Sequence, residues 1–254
     1  MSNNPDPENL EHFTTSISGY EIFALRAKNG AGKKPIVMIH GAIASRRYMI
    51  PTAKLLAGNF DVVLPDLPGH GASSKPEHAL TVKQHAAVLN QWIQAIGFER
   101  VNLLANSYGC QIAAQVAATY PEIVDRLILT DPTGDPSAPR LTQQFIRLTL
   151  NGFVEPLGAP LMMFKDIYDL GIRRTFETAH RMKEDDIRDS LPLVKAKTLV
   201  IRGANDFISP QEWCEEVMRL LPDAQLIVIQ DAPHSVTSAT PKTLTALVTE
   251  FLVK

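Results

Sequence analysis

A chain of 254 residues with 25 basic and 27 acidic side chains carries a formal charge of −2. It is long enough to bury about three quarters of its unfolded surface in one core, and it has no basic field to gather phosphates, so nucleic acid and membranes are not expected partners. Cys110 and Cys214 both lie in helix-like stretches, no run of about 18 apolar residues occurs, and the acidic start MSNNPDPENLEHF lacks the pattern of a secretory leader; a cytoplasmic protein is expected.

Residues 13–27 alternate loosely around Gly19, as two antiparallel strands joined by a turn would. Beyond them come six nearly continuous apolar runs: 35–40, 60–66, 101–106, 126–131, 198–203 and 225–231. Strands covered on both faces read this way. Stretches of helical length lie between them, the clearest with Val82, Val88, Leu89, Trp92, Ile93 and Ile96 on one face. The alternation predicts an α/β protein, a single domain over 1–254 built on a mostly parallel, doubly wound sheet of about eight strands. About 65 residues separate Asp131 from the strand near Thr198, too many for one crossover helix. A helical cap over 133–195, inserted after the sixth strand, is therefore expected. Its Phe145, Leu148, Phe153, Leu161, Met162, Met163, Phe164, Tyr168 and Phe176 offer apolar surface to line a pocket or to fasten the cap down.

The run VNLLAN passes into a helix rich in small residues with Ser107 at the junction. A turn that sharp strains its central residue, lifts the hydroxyl above the sheet, and needs small neighbours two positions away on either side. Ala105 and Gly109 occupy those positions. Here the chain resembles the α/β-hydrolase superfamily, whose elbow usually reads G-x-S-x-G, with alanine in place of the first glycine.

Serine is a weak nucleophile at neutral pH and needs an imidazole base oriented by a carboxylate. The resemblance implies the order serine, acid, histidine. Asp206 follows the run TLVIRG and His234 follows QLIVIQD, so both leave the carboxyl ends of strands on the rim that carries Ser107. Asp131, at the end of RLILTD, is a rival acid, because some superfamily members place their carboxylate there. Its setting in DPTGDP suits a turn or cap equally well, and Asp206 is preferred.

For the oxyanion, Tyr108 offers a backbone N–H at a helix start. By resemblance to members with a similar His-Gly pair, Ala42 supplies the second donor, with Ile43 in reserve. His40 is expected to order that loop by hydrogen bonding. The stretch Asp66 to Ser73, DLPGHGAS, matches the superfamily's D-x-x-G-x-G-x-S, and its His70 is expected to be structural. Ile43, Met162, Phe164 and Phe207 are assigned to the acyl pocket. Arg46 and Arg47 are exposed helix-start residues or partners for a substrate carboxylate.

The resemblance implies a serine hydrolase that cleaves a small or medium carboxylic ester, lactone or thioester through an acyl-enzyme. Aspartate at the elbow, as in dehalogenases and epoxide hydrolases, is absent. The same fold also serves carbon–carbon bond hydrolases, cofactor-free haloperoxidases or perhydrolases, lyases and non-catalytic ligand receptors. No G-x-G-x-x-G follows a strand, which argues against a dinucleotide enzyme. The scattered histidines imply neither a metal nor an organic cofactor, and the expected partner is a small acyl substrate.

Overall fold

The apolar runs become strands of one sheet. A computed structural model describes residues 10–27, 34–137, 141–156 and 158–254; the first nine residues and the side chain of Phe145 lie outside that description. Strands β1 (Glu11–Ile17) and β2 (Tyr20–Ala27) form the expected hairpin. Ser18 and Gly19 turn it with φ of 51° and 83°, the left-handed pair that matches strand twist in a two-residue loop.

The chain then alternates: β3 (Ile36–Ile39), α1 (Ile50–Leu56), β4 (Val62–Pro65), α2 (Val82–Ala95), β5 (Val101–Asn106), α3 (Tyr108–Thr119) and β6 (Val124–Thr130). Helices α4 (Leu141–Val154), α5 (Ala159–Leu170) and α6 (Ile172–Glu184) follow before β7 (Lys197–Gly203), which is the insertion after the sixth strand. Helix α7 (Gln211–Leu220), β8 (Ala224–Ile229), α8 (Val236–Ala239) and α9 (Pro241–Val253) complete the described chain. No described helix is long and apolar enough to cross a membrane.

The eight strands lie in the order β1-β2-β4-β3-β5-β6-β7-β8. β2 runs antiparallel to β1 and β4, and the remaining neighbours pair in parallel. Side chains alternate across a strand, so Val37, Ile39, Leu103 and Leu127 pack under α2, α3 and α7, while Ile36, Met38, Leu104 and Ile128 pack under α1 and α9. Two covered faces are why the runs show no polar alternation.

After β3 the chain first crosses to β4 on one side and then returns to β5 on the other. Connections diverge at such a switch point and leave a crevice beyond the strands' carboxyl ends. The loop after β3 and the turn after β5 therefore face each other.

Candidate active site

Ser107 stands alone between β5 and α3 with φ 58° and ψ −126°. A non-glycine residue in that region costs about 1–3 kcal/mol, held here by the strand and helix on either side. The helix sits close: a Cβ on Gly109 would lie 2.6 Å from the Ile39 carbonyl oxygen and 2.7 Å from that of His40. Only glycine fits there, whereas the first small position accepts the fully buried Ala105.

The loop after β3 abuts this turn. A Cβ on Gly41 would come within 3.2 Å of Ser107 Cβ and 3.5 Å of its Oγ. The hydroxyl of Tyr48 accepts from the Gly41 N–H and donates to Asn106 Oδ1, both at 2.9 Å, which ties the loop to the elbow. His40 Nε2 accepts from the Leu67 N–H at 3.0 Å, so its Nδ1–H donates to the Gly41 carbonyl at 2.8 Å. That carbonyl belongs to the peptide that carries the Ala42 N–H, and the imidazole thus sets the direction of the predicted oxyanion donor. His70 Nε2 lies 2.8 Å from the Ala42 carbonyl and orients the next peptide, that of Ile43. Burial, the largest influence on each, lowers His40 and His70 to a pKa of about 4, so both rings are neutral at pH 7. Tyr108 opens α3, and its N–H has no acceptor within the helix.

Asp206 and His234 meet beyond β7 and β8. A Cβ on Gly203 would lie 2.4 Å from the Pro233 carbonyl oxygen and 2.5 Å from that of Ala232, so glycine lets the histidine loop close onto the end of β7. Asp206 Oδ1 accepts from Ile208 N–H at 2.7 Å and Ser209 N–H at 3.1 Å, and Oδ2 faces His234 Nδ1 at 2.8 Å. Arg202 locks this turn from beneath, donating to the carbonyls of Ser209 and Asp206 at 2.8 and 3.0 Å. Asn106, next to Ser107, lies with Nδ2 3.3 Å from the His234 carbonyl oxygen. That contact sets the histidine loop beside the residue that precedes Ser107.

Two family models match the chain: one described as alpha/beta hydrolase fold over residues 34–156, the other as TAP-like protein over 175–254. The chain belongs to the α/β-hydrolase superfamily. A solved structure of a bacterial membrane phospholipase A superposes with a TM-score of 0.83 at 26% identity, covering 97% of this chain and 86% of that one. Lipase 1 of Psychrobacter immobilis is 25% identical over 246 residues, 87% of this chain and 77% of its own. An uncharacterized protein of Mycobacterium tuberculosis is 35% identical over 120 residues, 47% of this chain and 34% of its own. The chain thus spans only about a third of the length of the first curated relatives it matches. Relatives with named activities include Lipase 1 and a 1-acylglycerol-3-phosphate O-acyltransferase of Homo sapiens, 29% identical over 164 residues, 63% of this chain and 46% of its own.

In this α/β-hydrolase the electrostatics suit a base backed by an acid. Burial lowers the His234 pKa, but the Asp206 charge and its hydrogen bond reverse that, and the net shift is upward. Asp206 is likewise buried, which raises it, yet His234 and the Ser209 and Ile208 N–H groups carry it below the usual carboxylate value. Asp131, Asp206 and His234 are the one grouping among the described residues close enough to share a cation. The imidazole nitrogen there already faces a carboxylate, so we read it as an acid–base cluster.

The superfamily stretch at 66–73 is scaffolding. Asp66 accepts from Arg46 N–H at 3.0 Å and Ala72 N–H at 2.8 Å, and a Cβ on Gly71 would fall 2.1 Å from its Oδ2. Arg46 pairs with Asp66, and Arg47 pairs with Asp166 and with Asp169, so neither awaits a substrate carboxylate. Ile43 is half-buried in the loop after β3 and Phe207 is partly exposed beside Asp206. Met162 lies on the body-facing side of α5, near the buried Asp166, but Phe164 lies on the opposite side and is 64% exposed, so the structure does not bring it to the site.

Two carboxylates from the insert, one on α5 and one just past α4, reach the rim. Asp166 accepts from Ser45 N–H at 3.1 Å and from Ser45 Oγ at 2.8 Å while pairing with Arg47. Glu155 accepts from Ser235 N–H at 3.0 Å and from its hydroxyl. The insert is therefore fastened both to the loop after β3 and to the loop that carries His234. Sequence reasoning missed Tyr48, Asn106, Arg202, Glu155 and Asp166. Asn106, Glu155 and Asp166 meet partners distant in the chain, while Tyr48 and Arg202 bond to loops next to them in the chain, where nothing in the local pattern marks them.

Proposed function

We propose that this protein is a serine hydrolase that cleaves a small or medium carboxylic ester, lactone or thioester through an acyl-enzyme on Ser107. The observation that carries the reading is the His234–Asp206 contact at 2.8 Å, held against a strained Ser107 turn by Asn106. On substrate binding the Ser107 hydroxyl turns to His234 Nε2, a contact that tightens in the Michaelis complex. The hydroxyl oxygen attacks the acyl carbon as its proton passes to His234, and Asp206 stabilises the resulting imidazolium. The Ala42 and Tyr108 N–H groups receive the oxyanion. His234 then returns the proton to the departing alcohol, and water repeats the sequence to release the acid.

We assign Ile43, Met162 and Phe207 to the acyl side of the site, on their partial burial and their places in the loop after β3, on α5 and beside Asp206. Two free, buried cysteines support a reducing, cytoplasmic setting. A ladder of p-nitrophenyl esters of increasing acyl length tests the reading. Turnover that peaks at short or medium chains and vanishes in Ser107→Ala is expected; turnover unchanged in Ser107→Ala would refute it.

A further inference from the structure

The mechanism leaves one buried acid without a task. Asp131 directly follows β6, has no solvent exposure, and holds a left-handed φ of 50°, a region that Asp and Asn tolerate better than most residues. Its Oδ1 accepts from the Gly203 N–H at 2.8 Å, and its Oδ2 has Asn106 Nδ2 at the long distance of 3.5 Å. One oxygen of Asp131, one of Asp206 and a nitrogen of His234 all lie within 4.8 Å of one another.

The charges around this pair do not neutralise a second carboxylate. Arg202 of β7 spends its N–H groups on backbone carbonyls. Glu155 from the insert adds another negative charge nearby. Cys110 of α3, Cys214 of α7 and Tyr48 are all pushed up by burial and stay neutral. Among the described residues, no lysine or arginine donates to either carboxyl. Two carboxyl groups so close in a dry site, with one imidazole to share, do not both ionise. The hydrogen bonds decide which one keeps the proton. Asp206 faces three N–H groups at 3.1 Å or less, whereas Asp131 has one.

We propose that Asp131 is the protonated half of an acid pair, whose O–H donates to Asp206 and holds that carboxylate in register with His234. Asp131 is then a positioning residue, and this role rests on reading Asp206 and His234 as the acid–base couple. Burial first and the Asp206 charge second push Asp131 well above the usual carboxylate range, in keeping with the geometry. The rival acid of the earlier strand is present but carries a proton where Asp206 carries a charge.

Carbon-13 NMR of full-length protein labelled at aspartate carboxyls tests the protonation directly. One carboxyl signal in the protonated range at pH 7 is expected, absent from Asp131→Asn and retained in Ser107→Ala. If every aspartate is ionised at pH 7, or the protonated signal survives in Asp131→Asn, the proposal is wrong. Kinetics test the role: Asn supplies an N–H where the acid supplied an O–H, so Asp131→Asn should keep kcat within about threefold, with the acid limb of kcat/KM unmoved. Asp131→Ala, which has no donor, should lose at least about tenfold in kcat with little change in KM. A limb displaced to lower pH in Asp131→Asn would show that residue 131 bears charge, and would overturn the pair. A protein with the protonated signal but no ester turnover would overturn the hydrolase reading and leave the acid pair standing.

Discussion

At the sheet rim, each candidate catalytic group sits on a turn backed by a strand end, with glycines where backbones touch and its hydrogen bonds supplied from within the sheet layer. The inserted helices follow a different rule. Their inward faces carry Asp166, Leu170 and Thr178, but their outward faces leave Phe153, Leu161, Phe164, Tyr168, Ile172 and Phe176 in solvent. Among the described residues, Asp166 and Glu155 are the chief side chains that connect this layer to the loops after β3 and β8. The contrast teaches that the rim is over-determined by backbone packing, whereas the insert acts on it through a small number of charge-assisted bonds that single substitutions can remove.

The largest expected effect lies at the rim. Ser107→Ala and His234→Ala should each lower kcat on an activated ester by at least about 10⁴, as loss of a triad member does elsewhere. A variant that keeps a tenth of the activity would remove the residue from the mechanism. Next come the two connections. Asp166→Asn and Glu155→Gln each weaken charge-assisted hydrogen bonds worth about 1.5–3 kcal/mol. If the loss falls on the transition state, kcat drops about 10- to 100-fold, with the melting temperature nearly unchanged because the sheet core is untouched. Equal losses of stability and activity would mean that the insert holds the fold rather than the site.

A smaller effect concerns pH. The base works as neutral imidazole, and the net shift of His234 is upward, so kcat/KM should fall with acid through a value above the ordinary 6.5. In Asp206→Asn the raising partner is gone and the limb should move to lower pH. An acid limb well below 6.5 in the unsubstituted enzyme would point to a different base. The smallest effect belongs to the outer surface of the insert. Phe164→Ser or Phe153→Ser should leave kcat on a short soluble ester within about twofold, and a larger loss would show that these rings reach the substrate.

Much of the rim was legible in the sequence because backbone geometry leaves local marks. Strands covered on both faces show as unbroken apolar runs, and the tight elbow shows as Ala105 and Gly109 around Ser107. Asp206 and His234 each follow a strand on the same rim, so chain order alone brought them near. The insert was legible only as a length of apolar helix. Whether Phe164 faces in or out depends on where Asp166 finds Ser45, 121 positions away, and no local periodicity encodes that choice. Arg46 and Arg47 show the same limit, since their partners Asp66 and Asp166 come from other elements. Tyr48 and Asn106 bridge neighbouring loops through a polar contact that only the assembled switch point creates.

On the proposed function, the strained turn after β5 presents a nucleophile to His234. Reaction with a fluorophosphonate, followed by mass mapping of the adduct, tests it most directly. The account predicts one adduct per chain, on Ser107, with labelling abolished in Ser107→Ala and slowed severely in His234→Ala. An active enzyme that takes no label, or takes it on another residue, would contradict it.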